Sequence, residues 1–192
     1  MFLSAEEIQE EVRSGALVIH PFLPSLLKPA SYVVRLGYRF RRWAKTGSVV
    51  DPWAPDAASP ALQEVETGSE LVLHPGDFVL VDTLEEVGIP AHLVGLLSTL
   101  SHWGRFGVSA DNGSWLVSPG FGGGRCTRLT LELASSNPNP LRLRPGMPLA
   151  HLVLARTGPG VEASLFSQSI YEGLPAPSPP RLFEEFGGTA TL

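Results

Sequence analysis

Apolar and polar residues alternate in short runs along most of the chain, which is the pattern of half-buried β-strands. The clearest run covers residues 128–133, where three leucines alternate with an arginine, a threonine and a glutamate. Similar runs, divided by turns that contain glycine or proline, cover residues 16–19, 31–40, 70–73, 77–81, 93–97, 141–143 and 149–154. Many short strands with no strong helical run between them predict a mainly β fold, an antiparallel sandwich or barrel.

Both ends of the chain and one internal segment depart from the strand pattern. Ser4 followed by Glu7 forms a capping box, which predicts a short N-terminal helix of about ten residues that stops at Gly15. Residues 44–70 are rich in Pro, Ala, Ser and acidic residues without clear periodicity, so we expect a surface excursion there. Residues 173–181 are too rich in proline for a sheet interior and predict an extended tail.

The composition fits one turn-rich β domain over residues 1–192. Hydrophobic residues make up 43% and charged residues 17% of the chain, with 20 glycines and 18 prolines. A formal net charge of −5 argues against broad binding to nucleic acid. The single cysteine, Cys126, cannot form a disulfide or a cysteine-rich zinc site within one chain. The N-terminus lacks the pattern of a signal peptide and no apolar run reaches membrane-spanning length, so we expect a cytoplasmic protein that does not enter a membrane.

Glu132 is the first candidate for chemistry, because it is a lone carboxylate in an apolar, strand-like run. Burying an unpaired carboxylate raises its pKa and is strongly unfavourable, so such a residue usually has a partner or a function. The structural alternative is a strand whose outward positions are simply polar. The motifs elsewhere in the chain favour the functional interpretation.

A series of short motifs occurs along the chain in the order and spacing of one family. They include Ser-Tyr-Val-Val-Arg-Leu-Gly at 31–37, His-Pro-Gly-Asp at 74–77, Ser-His-Trp-Gly-Arg-Phe-Gly at 101–107 and Leu-Thr-Leu-Glu-Leu at 129–133. Through them the chain resembles the dCTP deaminase branch of the trimeric dUTPase superfamily. The resemblance implies a distorted antiparallel β-barrel or jelly roll and a homotrimer with active sites between subunits. It also implies that the C-terminal tail, residues 170–192, closes over the nucleotide.

The resemblance assigns roles to individual residues. The family's catalytic glutamate falls on Glu132, which would shuttle protons while water attacks C4 of cytosine and ammonia leaves. Arg105 and Ser101 would hold this carboxylate and the attacking water. Further contacts to the nucleotide would come from His102, Ser114, Ser118, Thr130, Leu131, Tyr171 and Arg181.

Deamination in this family needs no metal at the base. The His-x-Glu and Pro-Cys-x-x-Cys signature of zinc deaminases is absent from the sequence, so we expect no zinc. Magnesium would still accompany the triphosphate, held mostly by the phosphates with few protein ligands. The expected partners are a deoxycytidine nucleotide and further copies of the same chain.

The match is poorest where the family binds phosphate. Leu100 replaces an arginine of the family motif, His102 replaces a serine, and Ser118 stands where an acidic residue is usual. Other replaced positions are Val33, Leu116, Ile170 and Leu174. A charge-assisted contact is often worth about 1.5 to 3 kcal/mol, so the loss of two cations weakens triphosphate binding by powers of ten unless others replace them. The candidate replacements are His102, Arg125, Arg128 and Arg181.

Three further residues near these motifs have structural interpretations. Trp103 and Trp115 are expected to fill the core or an interface rather than to stack on a base. Asp111 lies in a turn-like loop, which it is expected to cap. The glycine-rich residues 120–128 predict a flexible hairpin turn.

The first functional hypothesis is conversion of dCTP to dUTP and ammonia by Glu132. A second keeps the deamination but moves it to another cytosine nucleotide, because the catalytic residues are present while the phosphate motif is altered. Further hydrolysis to dUMP is disfavoured by Ser118. The alternative from another class is a non-catalytic relative that binds a nucleotide or a protein.

Overall fold

The computed structural model describes residues 1–55, 61–122, 126–158, 171 and 174–186. Its helices are α1 (Ala5–Arg13), α2 (Ser101–Arg105) and α3 (Leu182–Phe186), with a 3₁₀ turn at Pro24–Leu26. Its strands are β1 (Val18–His20), β2 (Leu27–Lys28), β3 (Ser31–Arg42), β4 (Glu66–Thr67), β5 (Leu71–Leu73), β6 (Phe78–Gly88), β7 (Leu93–Thr99), β8 (Val108–Ser109), β9 (Leu116–Val117), β10 (Thr127–Ser135), β11 (Leu141–Leu143) and β12 (Pro148–Arg156).

Most of the strands join in one curled antiparallel sheet. Its central path runs β8-β10-β6-β3-β12-β7-β9, while β1 pairs with β6, and β2 and β4 pair with β3. Strands β5 and β11 form a separate antiparallel pair. Apolar side chains from β3, β6, β10 and β12 meet inside the curl in a single hydrophobic core, and burial of this apolar area favours the folded state. The predicted mainly β fold, a distorted antiparallel barrel, is confirmed.

Helix α1 forms as the capping box predicts. The Ser4 hydroxyl accepts a hydrogen bond from the Glu7 backbone at 3.3 Å, and the Glu7 carboxylate accepts one from the Ser4 backbone at 2.9 Å. The helix buries Ile8 against the core and ends before Gly15, whose φ of 78° favours glycine. The N-terminal prediction is therefore confirmed in type and in extent.

Two helices were not predicted, and both are only five residues long. Helix α2 lies within the family motif, where Ser-His-Trp-Gly-Arg is too short to show a helical period. Helix α3 follows the prolines of the tail, whose described residues 174–181 contain no strand or helix. A bend at residues 176–177 and a hydrogen bond from the Ser178 hydroxyl to the Pro175 carbonyl at 3.2 Å interrupt the predicted extended course, and Leu182 begins a helical turn.

The described part of the 44–70 excursion is anchored at both of its ends to β3. Ala44 donates its backbone N–H to the Ala61 carbonyl at 2.7 Å, and Trp43 forms an isolated antiparallel bridge with Leu62. Strand β4 then pairs with β3 before the chain enters β5. The excursion thus leaves the sheet and returns to the same strand.

The register of β3 on β6 depends on a bulge built around Asp82. The pairing shifts between Leu36 and Phe40, and the nearly buried Asp82 carboxylate fills the space that Gly37 leaves open. This carboxylate accepts hydrogen bonds from the Arg39 backbone at 3.0 Å and from Arg39 Nε at 3.2 Å. A Cβ on residue 37 would lie 2.9 Å from the Asp82 backbone oxygen and closer still to its carboxylate.

We expect Gly37→Ala to lower the free energy of unfolding by about 2 to 3 kcal/mol, because the added methyl forces backbone as well as side-chain atoms to move. Urea denaturation of both proteins measures the difference. The matched control is Gly104→Ala in α2, where a Cβ meets open space. It is expected to leave stability unchanged or to raise it by up to about 1 kcal/mol, because alanine favours a helix. Equal losses in the two variants would contradict this account of the bulge.

Candidate active site

Glu132 projects from β10 onto the outer face of the sheet. Its strand neighbours Leu131 and Leu133 are fully buried in the core, so the alternation predicted from the sequence is confirmed. Glu132 pairs with Leu80 of β6 on one side and forms a parallel bridge with Asp111 on the other. Its Oε2 atom is buried and has no hydrogen-bond partner among the described residues. Glu132 is therefore a largely desolvated carboxylate, and its Oε2 atom lacks a donor among the described residues.

The surroundings of Glu132 favour its protonated form. Burial, which disfavours the charged carboxylate, is the main cause that raises its pKa from 4.5 to about 7, and the negative charge of Asp111 adds to the increase. A hydrogen bond from its own backbone acts in the opposite direction and is outweighed. A group with a pKa near neutrality can both accept and donate a proton at physiological pH, as acid–base catalysis requires.

Asp111 is fixed in place by hydrogen bonds from the ends of β7 and β8. Its carboxylate accepts hydrogen bonds from the hydroxyls of Thr99 and Ser109, the second at 3.2 Å. The Thr99 hydroxyl in turn accepts the Ala110 backbone N–H at 2.8 Å. These contacts hold the Asp111 carboxylate against β7 and β8, and the capping of its turn stays a prediction. The same contacts hold its charge beside Glu132, which is an effect that the sequence did not predict.

The C-terminal tail packs on the outer face of the sheet beside Glu132. The Ser178 backbone donates a hydrogen bond to the Thr130 hydroxyl at 3.0 Å, and Ala176 is buried with 3% of its surface exposed. The Tyr171 hydroxyl accepts the Arg181 backbone N–H at 3.1 Å, and Arg181 pairs with Glu184 at 2.9 Å. Three of the predicted nucleotide-binding residues, Thr130, Tyr171 and Arg181, are thereby linked to one another through the tail.

The remaining predicted site residues do not meet Glu132 within the described chain. Ser101, His102 and Arg105 are exposed on α2, and none of them forms a hydrogen bond or an ion pair with Glu132 in the described structure. Ser114 and Ser118 are exposed in the loops that flank β9. A single chain therefore presents the carboxylate and the α2 residues as separate groups.

The structure limits how Leu131, a predicted nucleotide contact, and Arg128, a candidate phosphate contact, can bind a ligand. The Leu131 side chain is fully buried, so only its backbone can reach a nucleotide. Arg128, a candidate replacement for a lost phosphate contact, donates to the Thr83 carbonyl at 3.0 Å and lies 3.7 Å from Asp82. Because these groups inside the protein engage its guanidinium, Arg128 is not a free anion anchor. Arg125, the other candidate on this loop, lies outside the described residues.

The two tryptophans differ in their surroundings. Trp103 packs against the core and donates its indole N–H to the Pro148 carbonyl at 2.7 Å, so its structural interpretation is confirmed. Trp115 is 55% exposed and does not lie in the core. Its assignment to an interface stays a prediction.

We expect Glu132→Gln to change stability in a pH-dependent way. Because folding raises the pKa of Glu132, the ionised form destabilises the folded state, and this cost appears as the pH rises from 4.5 to about 7. With allowance for partial solvent screening, the variant should be more stable than the parent by on the order of 1 to 2 kcal/mol at about pH 8. At about pH 4 the two proteins should be equally stable, because Glu132 is then protonated in both states. Urea titrations at the two pH values measure the difference in the free energy of unfolding between the variant and the parent. A difference that does not vary with pH would contradict the raised pKa of Glu132.

No cluster of three or more potential metal ligands from His, Cys, Asp and Glu occurs within the described ranges. Likewise, none of the described helices has the length and apolar character needed to cross a membrane.

Comparison with known proteins identifies relatives along the full length of the chain. Residues 2–157 match the model of a protein family described as "dCTP deaminase-like". A Corynebacterium glutamicum (strain R) protein named "dCTP deaminase, dUMP-forming" is 35% identical over 190 residues, which cover 97% of this chain and 98% of that protein. A protein of the same name from Mycolicibacterium vanbaalenii is 36% identical over 190 residues, with the same coverage.

Among solved structures, the 2'-deoxycytidine 5'-triphosphate deaminase from Agrobacterium tumefaciens matches with a TM-score of 0.60 and 22% identity. The match covers 82% of this chain and 48% of the Agrobacterium chain, so this chain spans about half of the length of that protein. At this identity the match supports the fold alone. The curled antiparallel sheet described above is therefore an architecture already seen in a solved structure.

Proposed function

The chain belongs to the dCTP deaminase-like family, and on that basis we propose that it catalyses hydrolytic deamination of dCTP. The observation that carries the proposal is Glu132, a desolvated carboxylate with a pKa of about 7 on the outer sheet face beside the tail. A structural carboxylate would be expected to have hydrogen-bond donors, as Asp82 and Glu85 do in the same sheet. The unpaired oxygen of Glu132 is instead suited to a substrate or a water molecule.

The proposed reaction transfers protons through Glu132 without a metal at the base. The ionised carboxylate takes a proton from water as the water oxygen bonds to C4 of cytosine. Glu132 then returns that proton to the exocyclic nitrogen, the C4–N4 bond breaks, and ammonia leaves as the uracil ring forms. Each step needs a group that is a base at one moment and an acid at the next, which a pKa near 7 permits.

The α2 residues Ser101 and Arg105 would complete the site from a neighbouring copy in a homotrimer. Support comes from their exposure and from the lack of a donor to Glu132 within one described chain. Three large apolar side chains near α2 and β9 are also at least half exposed, which is typical of a surface that another chain covers. They are Phe106, Trp115 and Leu116. We propose the cytoplasm as the site of the reaction.

Magnesium would arrive with the triphosphate. Such a cation would be held mainly by phosphate oxygens, with few ligands from the protein. This chain would then contribute residues that bind the phosphates and not a ligand cage for the cation.

The proposed first product is dUTP, and dUMP is the second candidate. The relatives named dUMP-forming favour further hydrolysis, whereas Ser118 in place of an acidic residue favours release of dUTP. Chromatography of a dCTP reaction separates the two, because only dUMP formation releases pyrophosphate together with ammonia. Parallel reactions with dCDP, dCMP and deoxycytidine test whether the altered phosphate motif has moved the substrate.

We expect Glu132→Gln to lower the rate of ammonia release from dCTP by about 100-fold to 10,000-fold, because the amide cannot accept the proton of water. In the parent protein, kcat/KM should fall about tenfold per pH unit below pH 7, where Glu132 becomes protonated. A binding assay with isotope-labelled dCTP checks that the variant still binds the nucleotide. Equal activity in the two proteins would refute the assigned role, and binding without turnover by either protein would favour the non-catalytic relative.

Mixing two inactive variants tests the shared site. Glu132→Gln and Arg105→Gln should each be inactive alone, because one variant lacks the carboxylate of the proposed site and the other lacks its guanidinium. After joint unfolding and refolding, mixed trimers would contain some sites with Glu132 from one chain and Arg105 from another, and activity should return. Failure to regain activity in trimers of verified mixed composition would place both residues in one chain's site.

A further inference from the structure

A groove of about 500 Å³ lies between the excursion and the tail, and we name it the tail groove. Arg41 and Trp43 at the end of β3 form one wall, and residues 179–184 form the opposite wall. Val50, Pro52 and Leu62 contribute apolar surface. Grooves of roughly 300 to 1,000 Å³ with apolar walls and few polar groups are typical of small-molecule sites.

Two residues that line the tail groove, Arg41 and Trp43, each contain a buried donor that lacks an acceptor. Arg41 Nε and Trp43 Nε1 are buried and have no hydrogen-bond partner in the described part of the chain. An unpaired buried N–H costs free energy, so native proteins rarely leave one without a protein, water or ligand acceptor. Both side chains can only donate, and one carries a full positive charge. The group that would satisfy them is an acceptor, and the charge favours an anion.

The lining of the tail groove contains two arginines, Arg41 and Arg181, and two glutamates, Glu64 and Glu184. Arg41 forms no ion pair with any described residue. Glu184 is paired with Arg181 at 2.9 Å. Glu64 is exposed at the rim, where water and salt screen its repulsion of an anion.

The tail groove lies on the same face of the sheet as Glu132. Arg41 and Glu132 are both paired with Leu80, from opposite sides, so all three side chains project in one direction. Two strand spacings separate Arg41 from Glu132, which is about 10 Å between their Cα atoms. The tail bridges this distance, because Ser178 bonds to Thr130 beside Glu132 and the next residues form the groove wall.

We propose that the tail groove binds a phosphate group, with the Arg41 guanidinium supplying the charge and Trp43 a further N–H. Phosphate offers several acceptor oxygens to the planar donor fork of arginine and to the indole. The phosphate belongs either to the nucleotide bound at Glu132 or to a free anion such as pyrophosphate. Anion binding here does not depend on the proposed deamination.

Calorimetric titration of the full chain with pyrophosphate tests the site directly. We expect saturable binding that Arg41→Gln weakens at least tenfold and Trp43→Phe about threefold to tenfold, because one loses a charged contact and the other a single donor. The matched control is Arg142→Gln, which removes an arginine paired with Glu70 outside the groove and should not change the affinity. Absence of pyrophosphate binding, or equal affinity in the parent and Arg41→Gln, would overturn the proposal.

The indole N–H resonances give a second readout that does not depend on the Arg41 variant folding well. Addition of pyrophosphate should shift the Trp43 signal, which is assigned by its loss in Trp43→Phe. The Trp103 signal serves as an internal reference, because its N–H already bonds to the Pro148 carbonyl. An unchanged Trp43 signal at saturating pyrophosphate would refute the contact.

Titrations with dCTP and deoxycytidine distinguish the two sources of phosphate. If the nucleotide occupies the tail groove, Arg41→Gln should weaken the binding of dCTP and of pyrophosphate alike and leave the binding of deoxycytidine unchanged. The two anions should then compete for the site. If the groove binds a free anion, pyrophosphate should bind equally well in the presence of dCTP. Loss of ammonia release with intact anion binding would refute the proposed function and leave this site in place.

Discussion

The burial of Asp82 under the β3 bulge is the constraint on which the geometry of the candidate site depends. Its carboxylate is compensated by the backbone and side chain of Arg39, and it fits only because Gly37 has no Cβ. This interaction sets the register of β3 on β6, and β6 in turn pairs with β10. Since strand side chains alternate, a slip of β3 on β6 by one residue would turn Arg41 away from the sheet face that carries Glu132. The placement of Arg41 on the same face as Glu132 is therefore a consequence of the buried charge pair between β3 and β6.

The sheet contains carboxylates of two kinds, and their contrast supports the assignment of Glu132. Glu85 is fully buried and accepts hydrogen bonds from the Arg35 backbone at 2.7 Å and from Arg35 Nε at 2.6 Å. Asp82 is satisfied by Arg39 in the same manner. Glu132 has no such donor in the described chain, although it is largely desolvated. Burying a charge without a partner is costly, so a fold that supplies partners for Asp82 and Glu85 leaves Glu132 unpaired at a cost in stability. Such a cost is typical of functional sites.

The sequence predicted what depends on local pattern and missed what depends on distant contacts. Alternation placed β10 and the outward position of Glu132, and the capping box placed α1, because each signal lies within a few neighbouring residues. The return of the tail to Thr130 and the approach of Asp111 to Glu132 join residues far apart in the chain, and no periodicity encodes them. Helix α2 is too short for its pattern to be read, although its residues were singled out by resemblance. Arg41 and Trp43 were not singled out, because their unpaired donors become visible only once the excursion and the tail are in position.

The pKa of Glu132 in the assembled protein would be set by a balance of opposing effects. Burial and Asp111 raise the pKa to about 7 within one chain. An arginine brought to the unpaired oxygen by a neighbouring copy would lower it, since a nearby cation favours the ionised carboxylate. A strong decrease would make Glu132 a weak acid–base shuttle at neutral pH, because the carboxylate would release its proton too readily to protonate the leaving nitrogen. Asp111, fixed by Thr99 and Ser109, opposes that decrease. In the proposed reaction, Asp111 would thus keep the carboxylate able to return the proton, while Arg105 would keep it able to remove one.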